Sequence, residues 1–332
     1  MTITPALRWG IIGTANIARA AFLPGLRAAG GTASAVAGRD LARAERFAAD
    51  NGVDRAVAGY QSLIDDPGID ALYIPLPNSL HAEWTTRALE AGKPVLCEKP
   101  LCGTLADTER VLGVARQTGT LLWEAFVFPF GEHMRVIRSL IDDGSIGELR
   151  EVQSGFHFSI GRPDDIRLSA GLEGGALLDV GCYPVRLAQE LLGPGYLSAW
   201  AVRETGGAGV DIETWGTLGY SGGRRLLLSC GMRRGYDTFS RLLGTDGQIH
   251  VSNPFHPGLD DEIVLHPVRG ETTRFPASTG EPSFTAAIRH ISAAVTGTEP
   301  PRLLAADASL PTARALHDLA AAALGSDAAP ST

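Results

Sequence analysis

From Leu7 to about Phe126, short apolar runs alternate with longer helix-patterned stretches. That alternation constrains the fold more than any other feature, because strands separated by ~10–15-residue helices form βαβ units around a parallel sheet. The apolar strands read as Leu7–Ile12, Ser34–Ala37, Ala71–Leu76, Pro94–Cys97 and Thr120–Phe126. The helices read as Asn16–Ala29 (with Pro24 as an expected kink), Leu41–Ala49 capped by Asp40, Ser79–Ala91 closed by Gly92, and Leu105–Thr118 between Thr104 and Gly119.

After Phe126 the pattern changes. One helix, His133–Asp142, and a turn at Ser145–Gly147 precede a series of strand-like runs. These are Leu149–Ile160, Ser198–Arg203, Glu213–Tyr220, Arg224–Cys230, Phe239–Leu243, Gln248–Val251 and Glu262–Pro267. Gly and Asn/Asp turn signals between most of them predict a mostly antiparallel sheet. A helix at Gly175–Leu192 interrupts the series, and helices at Ser283–Thr296 and Ala305–Ala323 follow. Residues 325–332 read as a frayed end. The expected architecture is α/β plus α+β: a Rossmann domain with a doubly wound parallel sheet over 1–126, and a domain with an open, mostly antiparallel sheet over 127–332. A chain of 332 residues suits two domains of ~150.

Net charge is −8, with no basic stripe, so neither nucleic acid nor an anionic membrane is the expected partner. The N-terminus lacks a charged segment followed by an apolar one, so a cytoplasmic location is expected. The four cysteines, Cys97, Cys102, Cys182 and Cys230, form no CxxC pair, so reduced, packed thiols are expected, and no metal site.

The first strand-to-helix turn reads Gly10-Ile-Ile-Gly13-Thr-Ala15-Asn-Ile-Ala18. Aligned on the dinucleotide fingerprint, Gly13 makes the tight turn, Ala15 stands where a second glycine is usual, and Ala18 is the third position. Gly13, Thr14, Ala15, Asn16 and Ile17 are therefore the expected pyrophosphate contacts, because the first N–H groups of a helix have no intrahelical partner. The second strand ends in Gly38-Arg39-Asp40. A guanidinium there can fork onto a 2′-phosphate, which favours NADP(H) over NAD(H) unless Asp40 turns inward. The fourth strand ends in Glu98-Lys99-Pro100, which puts an amine at the edge where open α/β sheets bind ligands. The following proline holds Lys99 extended.

Four blocks carry a family resemblance: Trp9-Gly-Ile-Ile-Gly-Thr-Ala-Asn-Ile-Ala18, Pro75-Leu-Pro-Asn-Ser-Leu-His81, Ala91-Gly-Lys-Pro-Val-Leu-Cys-Glu-Lys-Pro100 and Gly174-Gly-Ala-Leu-Leu-Asp-Val-Gly-Cys-Tyr-Pro184. In this order and spacing the chain resembles the glucose–fructose oxidoreductase/inositol dehydrogenase (Gfo/Idh/MocA) family from Leu7 to about Ala323. The resemblance implies that Lys99 is the catalytic lysine at the nicotinamide, and that Glu98 orients it or contacts the cofactor. It implies that Tyr183, four residues after Asp179, is the general acid/base, with Lys99 lowering its phenol pKa from the unperturbed ~10. It places Leu76, Asn78 and His81 beside the nicotinamide, against the plainer reading of Asn78 or Ser79 as a helix cap. Arg167 is expected to contact substrate or close an ion pair. Phe126, in Trp123-Glu-Ala-Phe126, is expected to line a sugar face or pack in the core.

The implied activity is hydride transfer between NADP(H) and a carbinol or carbonyl carbon of a sugar, polyol or cyclic diol. A nucleotide-sugar 3-ketoreductase is an alternative reading, with Arg162, Arg167, Arg233 and Arg234 as candidate phosphate ligands. A non-catalytic NADP-binding regulator is a second alternative, which retention of both Lys99 and Tyr183 disfavours. A homodimer or homotetramer formed through the second sheet is expected by the same resemblance.

Overall fold

The computed structural model describes residues 7–324, so the frayed end expected at 325–332 lies outside the described residues. Two compact units result: the chain up to Val127 together with Glu281–Leu310, and Phe128–Gly280 together with the chain from Pro311 onward.

In the first unit, strands β1 (Arg8–Ile12), β2 (Thr32–Gly38), β3 (Ala56–Ala58), β4 (Ala71–Ile74), β5 (Val95–Cys97) and β6 (Leu122–Glu124) form one parallel sheet in the order β3-β2-β1-β4-β5-β6. Helices α1 (Leu23–Ala28), α2 (Leu41–Asn51), α3 (Tyr60–Ile64), α4 (Asn78–Glu90) and α5 (Leu105–Thr118) connect or precede them. The strand order reverses between β1 and β4, and that reversal opens a crevice at the carboxyl ends. Ile12, Ala37, Leu72, Ile74, Val95 and Leu122 are buried in the core beneath it. Short β3 and α3 are absent from the sequence reading, because three half-exposed residues and a single turn carry no periodicity. The helix holding Pro24 widens before it: the π-helical turn Ala18–Phe22 ends with Leu23 N–H bonded to Ala18 O, five residues back. The expected kink is thus a wide turn that accommodates the missing proline donor.

The second unit contains α6 (Glu132–Asp142), α7 (Cys182–Leu192) and strands β7 (Leu149–Ser159), β8 (Tyr196–Thr205), β9 (Asp211–Tyr220), β10 (Arg225–Gly231), β11 (Arg233–Gly244), β12 (Gly247–Val251), β13 (Glu262–Pro267) and β14 (Thr273–Pro276). The sheet order is β14-β13-β12-β11-β7-β10-β9-β8, with only β7 and β10 parallel. Its two faces differ. Leu218, Leu226, Val152, Leu242 and Ile249 are buried on one face. The paired row Trp200, Thr217, Leu227, Gln153, Arg241 and His250 is half-buried or exposed on the other. Edge strand β14 is short and largely exposed, and its sequence, Thr-Arg-Phe-Pro, carries no alternation to reveal it.

Residues 281–310, expected in the second domain, cluster with the first unit. Phe284, just before α8 (Thr285–Val295), packs edge-on against Phe22 and Tyr73. Gly25 on α1 makes room for it, since a Cβ there would lie 2.6 Å from that of Phe284. The last helix, α9 (Ala305–Leu324), begins in the first unit and continues in the second.

Candidate active site

In the first unit the turn after β1 holds Gly13 at φ +111°, where a side chain is strained, and a Cβ would meet Leu76 at 2.9 Å. Gly13 N–H donates to Ala37 O at 2.8 Å, so the turn is tied to β2 as well. Thr14 and Ala15 are half-buried, and Asn16 and Ile17 open the next helix in the exposed zone, so the first helical N–H groups face outward at the switch point. Bare backbone and helix-start donors there fit the pyrophosphate of a dinucleotide. At the end of β2, Gly38 is buried and Arg39 exposed. Asp40 does not turn inward: its carboxylate accepts from Arg43 N–H at 3.1 Å and caps α2. Arg39 thus stands exposed at the end of β2 beside a carboxylate already engaged as a cap.

The Lys99 segment is braced from beneath. Glu98 is buried and accepts from the Tyr73 hydroxyl at 2.6 Å and from Lys99 N–H at 3.3 Å. Its own N–H donates to Ile74 O at 3.0 Å. These bonds hold the carboxylate against Tyr73 and the Lys99 backbone, which suits an orienting role. Leu101 N–H donates to Glu124 at 2.7 Å, which fixes the chain just beyond Pro100. His81 is 0% exposed, with Nδ1 2.8 Å from Pro100 O and Nε2 2.7 Å from Leu76 O. Burial and, to a smaller degree, the Lys99 charge lower its pKa, although the carbonyl bonds oppose this, and the two contacts tie the ring to the Leu76 and Pro100 segments. Asn78 is the first, half-buried residue of α4, and neither it nor Ser79 caps the helix, because Pro77 is the N-cap and no side chain bonds there. Phe126 is 2% exposed, so its ring packs in the interior and the sugar-lining expectation does not hold.

The chain has two lysines against 27 arginines. Lys93 donates to Asp66 O at 2.8 Å and Ile69 O at 2.7 Å, a structural role. Lys99 is half-buried at the sheet's carboxyl edge. An ammonium, unlike guanidinium, can have its pKa moved by its surroundings, which is the property that proton chemistry uses.

In the second unit a wide π-helical turn, Leu177–Gly181, carries Asp179 and runs into α7, where Tyr183 and Pro184 follow. Pro184 again follows a widened turn. Gly174 and Gly175 allow the chain to press on Arg167: Gly175 N–H donates to Arg167 O at 2.9 Å, and a Cβ on Gly174 would lie 2.2 Å from that oxygen. Asp211, which the sequence reading missed, accepts from Leu177 N–H at 2.7 Å and from the Thr214 hydroxyl at 2.8 Å, anchoring the start of the turn. Burial raises its pKa, partly offset by those donors. Arg167 closes ion pairs, with Nε 2.9 Å from Asp179 and Nη1 3.1 Å from Asp165. Its guanidinium lies 5.8 Å from the Phe158 ring centre. The arrangement orients the Asp179 carboxylate.

Tyr183 is 8% exposed and sits among aromatic rings: Phe255 at 5.0 Å, Phe156 at 5.2 Å, His256 at 5.5 Å and Phe128 at 6.3 Å between centroids. The loop Asn253-Pro-Phe-His256, unread in the sequence, supplies two of them. Asn253 Nδ2 donates to His256 O at 2.7 Å, Thr238 donates to Asn253 Oδ1 at 2.8 Å, and His133 Nε2 donates to Pro254 O at 2.9 Å. The arginines considered as phosphate ligands are each paired: Arg162 with Asp164, Arg167 with Asp165 and Asp179, Arg233 with Glu204, and Arg234 with Glu213. Among the described residues no group of three or more His, Cys, Asp or Glu side chains is placed to hold a metal. No helix among them is long and apolar enough to cross a membrane.

Residues 7–126 match the Gfo/Idh/MocA oxidoreductase family, NAD-binding Rossmann fold, and residues 134–250 match the Gfo/Idh/MocA C-terminal domain. A dTDP-3,4-didehydro-2,6-dideoxy-alpha-D-glucose 3-reductase of Streptomyces violaceoruber is 40% identical over 293 residues, 87% of this chain and 85% of that one. A D-xylose 1-dehydrogenase (NADP(+)) of Haloferax volcanii is 34% identical over 251 residues, 75% of this chain and 77% of that one. The crystal structure of a 3-ketoreductase from Actinomadura kijaniata, in complex with NADP and TDP-benzene, superposes with a TM-score of 0.87 at 34% identity, covering 96% of this chain and 98% of that one. With both halves matched and relatives of this identity along most of its length, the chain belongs to the Gfo/Idh/MocA oxidoreductases.

Proposed function

We propose that the protein transfers a hydride between NADP(H) and the carbonyl or carbinol carbon of a sugar ring, and that its substrate is a nucleotide-linked keto sugar. The observation that carries the reading is the ammonium of Lys99. In a chain with one other lysine, this one stands at the ligand edge, on a segment braced by Glu98, His81 and Glu124. Exposed Arg39 beside a capped Asp40 supports NADP(H) over NAD(H). Relatives that reduce dTDP-linked sugars support the nucleotide-linked substrate. A xylose-type dehydrogenase is the second reading, favoured by the absence of an arginine free of carboxylates among the four considered as phosphate ligands.

Bound NADPH supplies the hydride. Lys99 donates to the reacting oxygen and stabilises the negative charge that develops there. Tyr183 gives its phenolic proton to that oxygen in reduction and takes it back in oxidation. Asp179, held by Arg167, fixes the wide turn that presents Tyr183, and the surrounding rings exclude water from the phenol. The four cysteines are buried free thiols and fit a reducing, cytoplasmic setting. The row of Trp200, Thr217 and Leu227 on the open sheet face, with Trp200 57% exposed, supports pairing with a second copy there.

The test is Lys99→Met, assayed by NADPH oxidation against nucleotide-linked ketosugars, aldoses, polyols and diols, with NADPH affinity followed by fluorescence. Turnover should fall at least ~10²-fold while affinity stays near wild type. A variant with wild-type turnover refutes the mechanism, and wild-type binding without turnover across the panel favours the regulatory reading.

A further inference from the structure

Tyr236 is the one ring of the Tyr183 cluster that lies open. It is 61% exposed, yet its ring centre lies 5.9 Å from that of Phe156, edge-on, and Phe156 is the ring that packs against Tyr183 at 5.2 Å. The phenol makes no hydrogen bond to any described residue, so local polar structure does not explain its placement. The backbone does. Register between β11 and β7 shifts between Arg233 and Asp237, so the strand bulges where Tyr236 sits. Bulges re-aim side chains and are enriched beside active sites. From Asp237 onward the ladder is regular again, with Thr238 opposite Phe156, and the Tyr236 ring, 5.9 Å from that of Phe156, lies on the sheet face that Phe156 occupies. That is the face on which Tyr183, Phe255 and His256 are gathered.

We infer that Tyr236 is a specificity-determining residue, whose ring stacks on the C–H face of the sugar while Tyr183 exchanges the proton. The inference rests on the proposed function and names how the sugar is held. The rings with exposed surface there, Tyr236 and the half-buried Phe158, present aromatic faces. A sugar rich in hydroxyls leaves polar groups unpaired against them, whereas a deoxygenated ring presents C–H and methyl groups that suit aromatic faces. Binding of this kind is the same in ground and transition states, so it sets KM and leaves kcat unchanged.

The experiment compares Tyr236→Ala and Tyr236→Phe with wild type, using the best substrate from the turnover panel and, separately, the affinity for TDP alone. The side chain is exposed, so both variants are expected to fold, which circular dichroism checks. Tyr236→Ala should raise KM roughly tenfold with kcat within a factor of about two, Tyr236→Phe should restore wild-type KM, and TDP affinity should not move. An unchanged KM in Tyr236→Ala overturns the inference. So does a parallel loss of TDP affinity, which makes Tyr236 a nucleotide contact. If the panel yields an aldose and no nucleotide-linked sugar, the substrate reading fails, while Tyr236 is still judged by KM for that aldose.

Discussion

The replacement Gly13→Ala separates two roles of one residue. At φ +111° an alanine is strained by about 1–3 kcal/mol, less the ~0.4–1 kcal/mol regained because alanine has a less disordered unfolded chain. The new methyl lies 2.9 Å from the end of the Leu76 side chain, which can swing away, so strain dominates and a net loss of about 1–2 kcal/mol is expected. Gly30→Ala is the control: φ is +78°, and nothing lies within 4 Å of its added Cβ, so it carries strain without crowding or any ligand role. Both variants should lower the urea midpoint by similar amounts. Only Gly13→Ala should weaken NADPH, because relaxing the strained turn moves its N–H groups off a pyrophosphate and loses a charge-assisted hydrogen bond of about 1.5–3 kcal/mol. The expected rise in Kd is about 10–100-fold by fluorescence titration. A Gly13→Ala protein that shows the stability loss and keeps wild-type NADPH affinity would refute the assignment of this turn as the phosphate cradle.

Two further expectations follow from single side chains. Arg39→Ala should reduce the preference for NADPH over NADH by roughly tenfold or more while leaving the Asp40 cap and stability unchanged, and an unaltered ratio of the two affinities would remove Arg39 from the site. Burial pushes the His133 imidazole down to about 4, from an ordinary ~6.5, although its bond to Pro254 O opposes this. The unfolded chain therefore takes up a proton that the folded one refuses, so this contribution is complete above pH ~6.5 and is lost as pH falls toward 4. His133→Gln, which keeps a donor for Pro254 O, should show a shallower fall in urea midpoint between pH 7 and pH 5, and an identical slope would contradict the account.

How far the site was legible depended on how local its determinants are. Glu98-Lys99-Pro100 followed an apolar run, so its position at a strand's carboxyl end could be read directly. Asp40 and Thr104 announced their helices, and both cap as expected. The burial of His81 was not legible, because it is fixed by contacts with carbonyls of Leu76 and Pro100, the latter 19 residues away. Of the two readings for Phe126 the buried one holds, and the sequence could not choose, because an aromatic in a motif gives no sign of whether its ring faces a ligand or the interior. The loop at Asn253–His256 and the bulge that aims Tyr236 left no periodic trace, since each is defined by pairing with distant strands.

The linear order of residues determined the two sheet types, the parallel βαβ grammar of the first unit and the identity of the amine and phenol at the proposed reaction centre, because helix and strand periodicity and chemical side-chain identity are local properties. Tertiary structure alone decided that residues 281–310 return to the first unit, that Glu98 and His81 serve as braces, and that aromatic rings from β7 and the Asn253 loop pack around Tyr183. Those outcomes depend on which surfaces exclude water together, and residues far apart in the chain share in that choice.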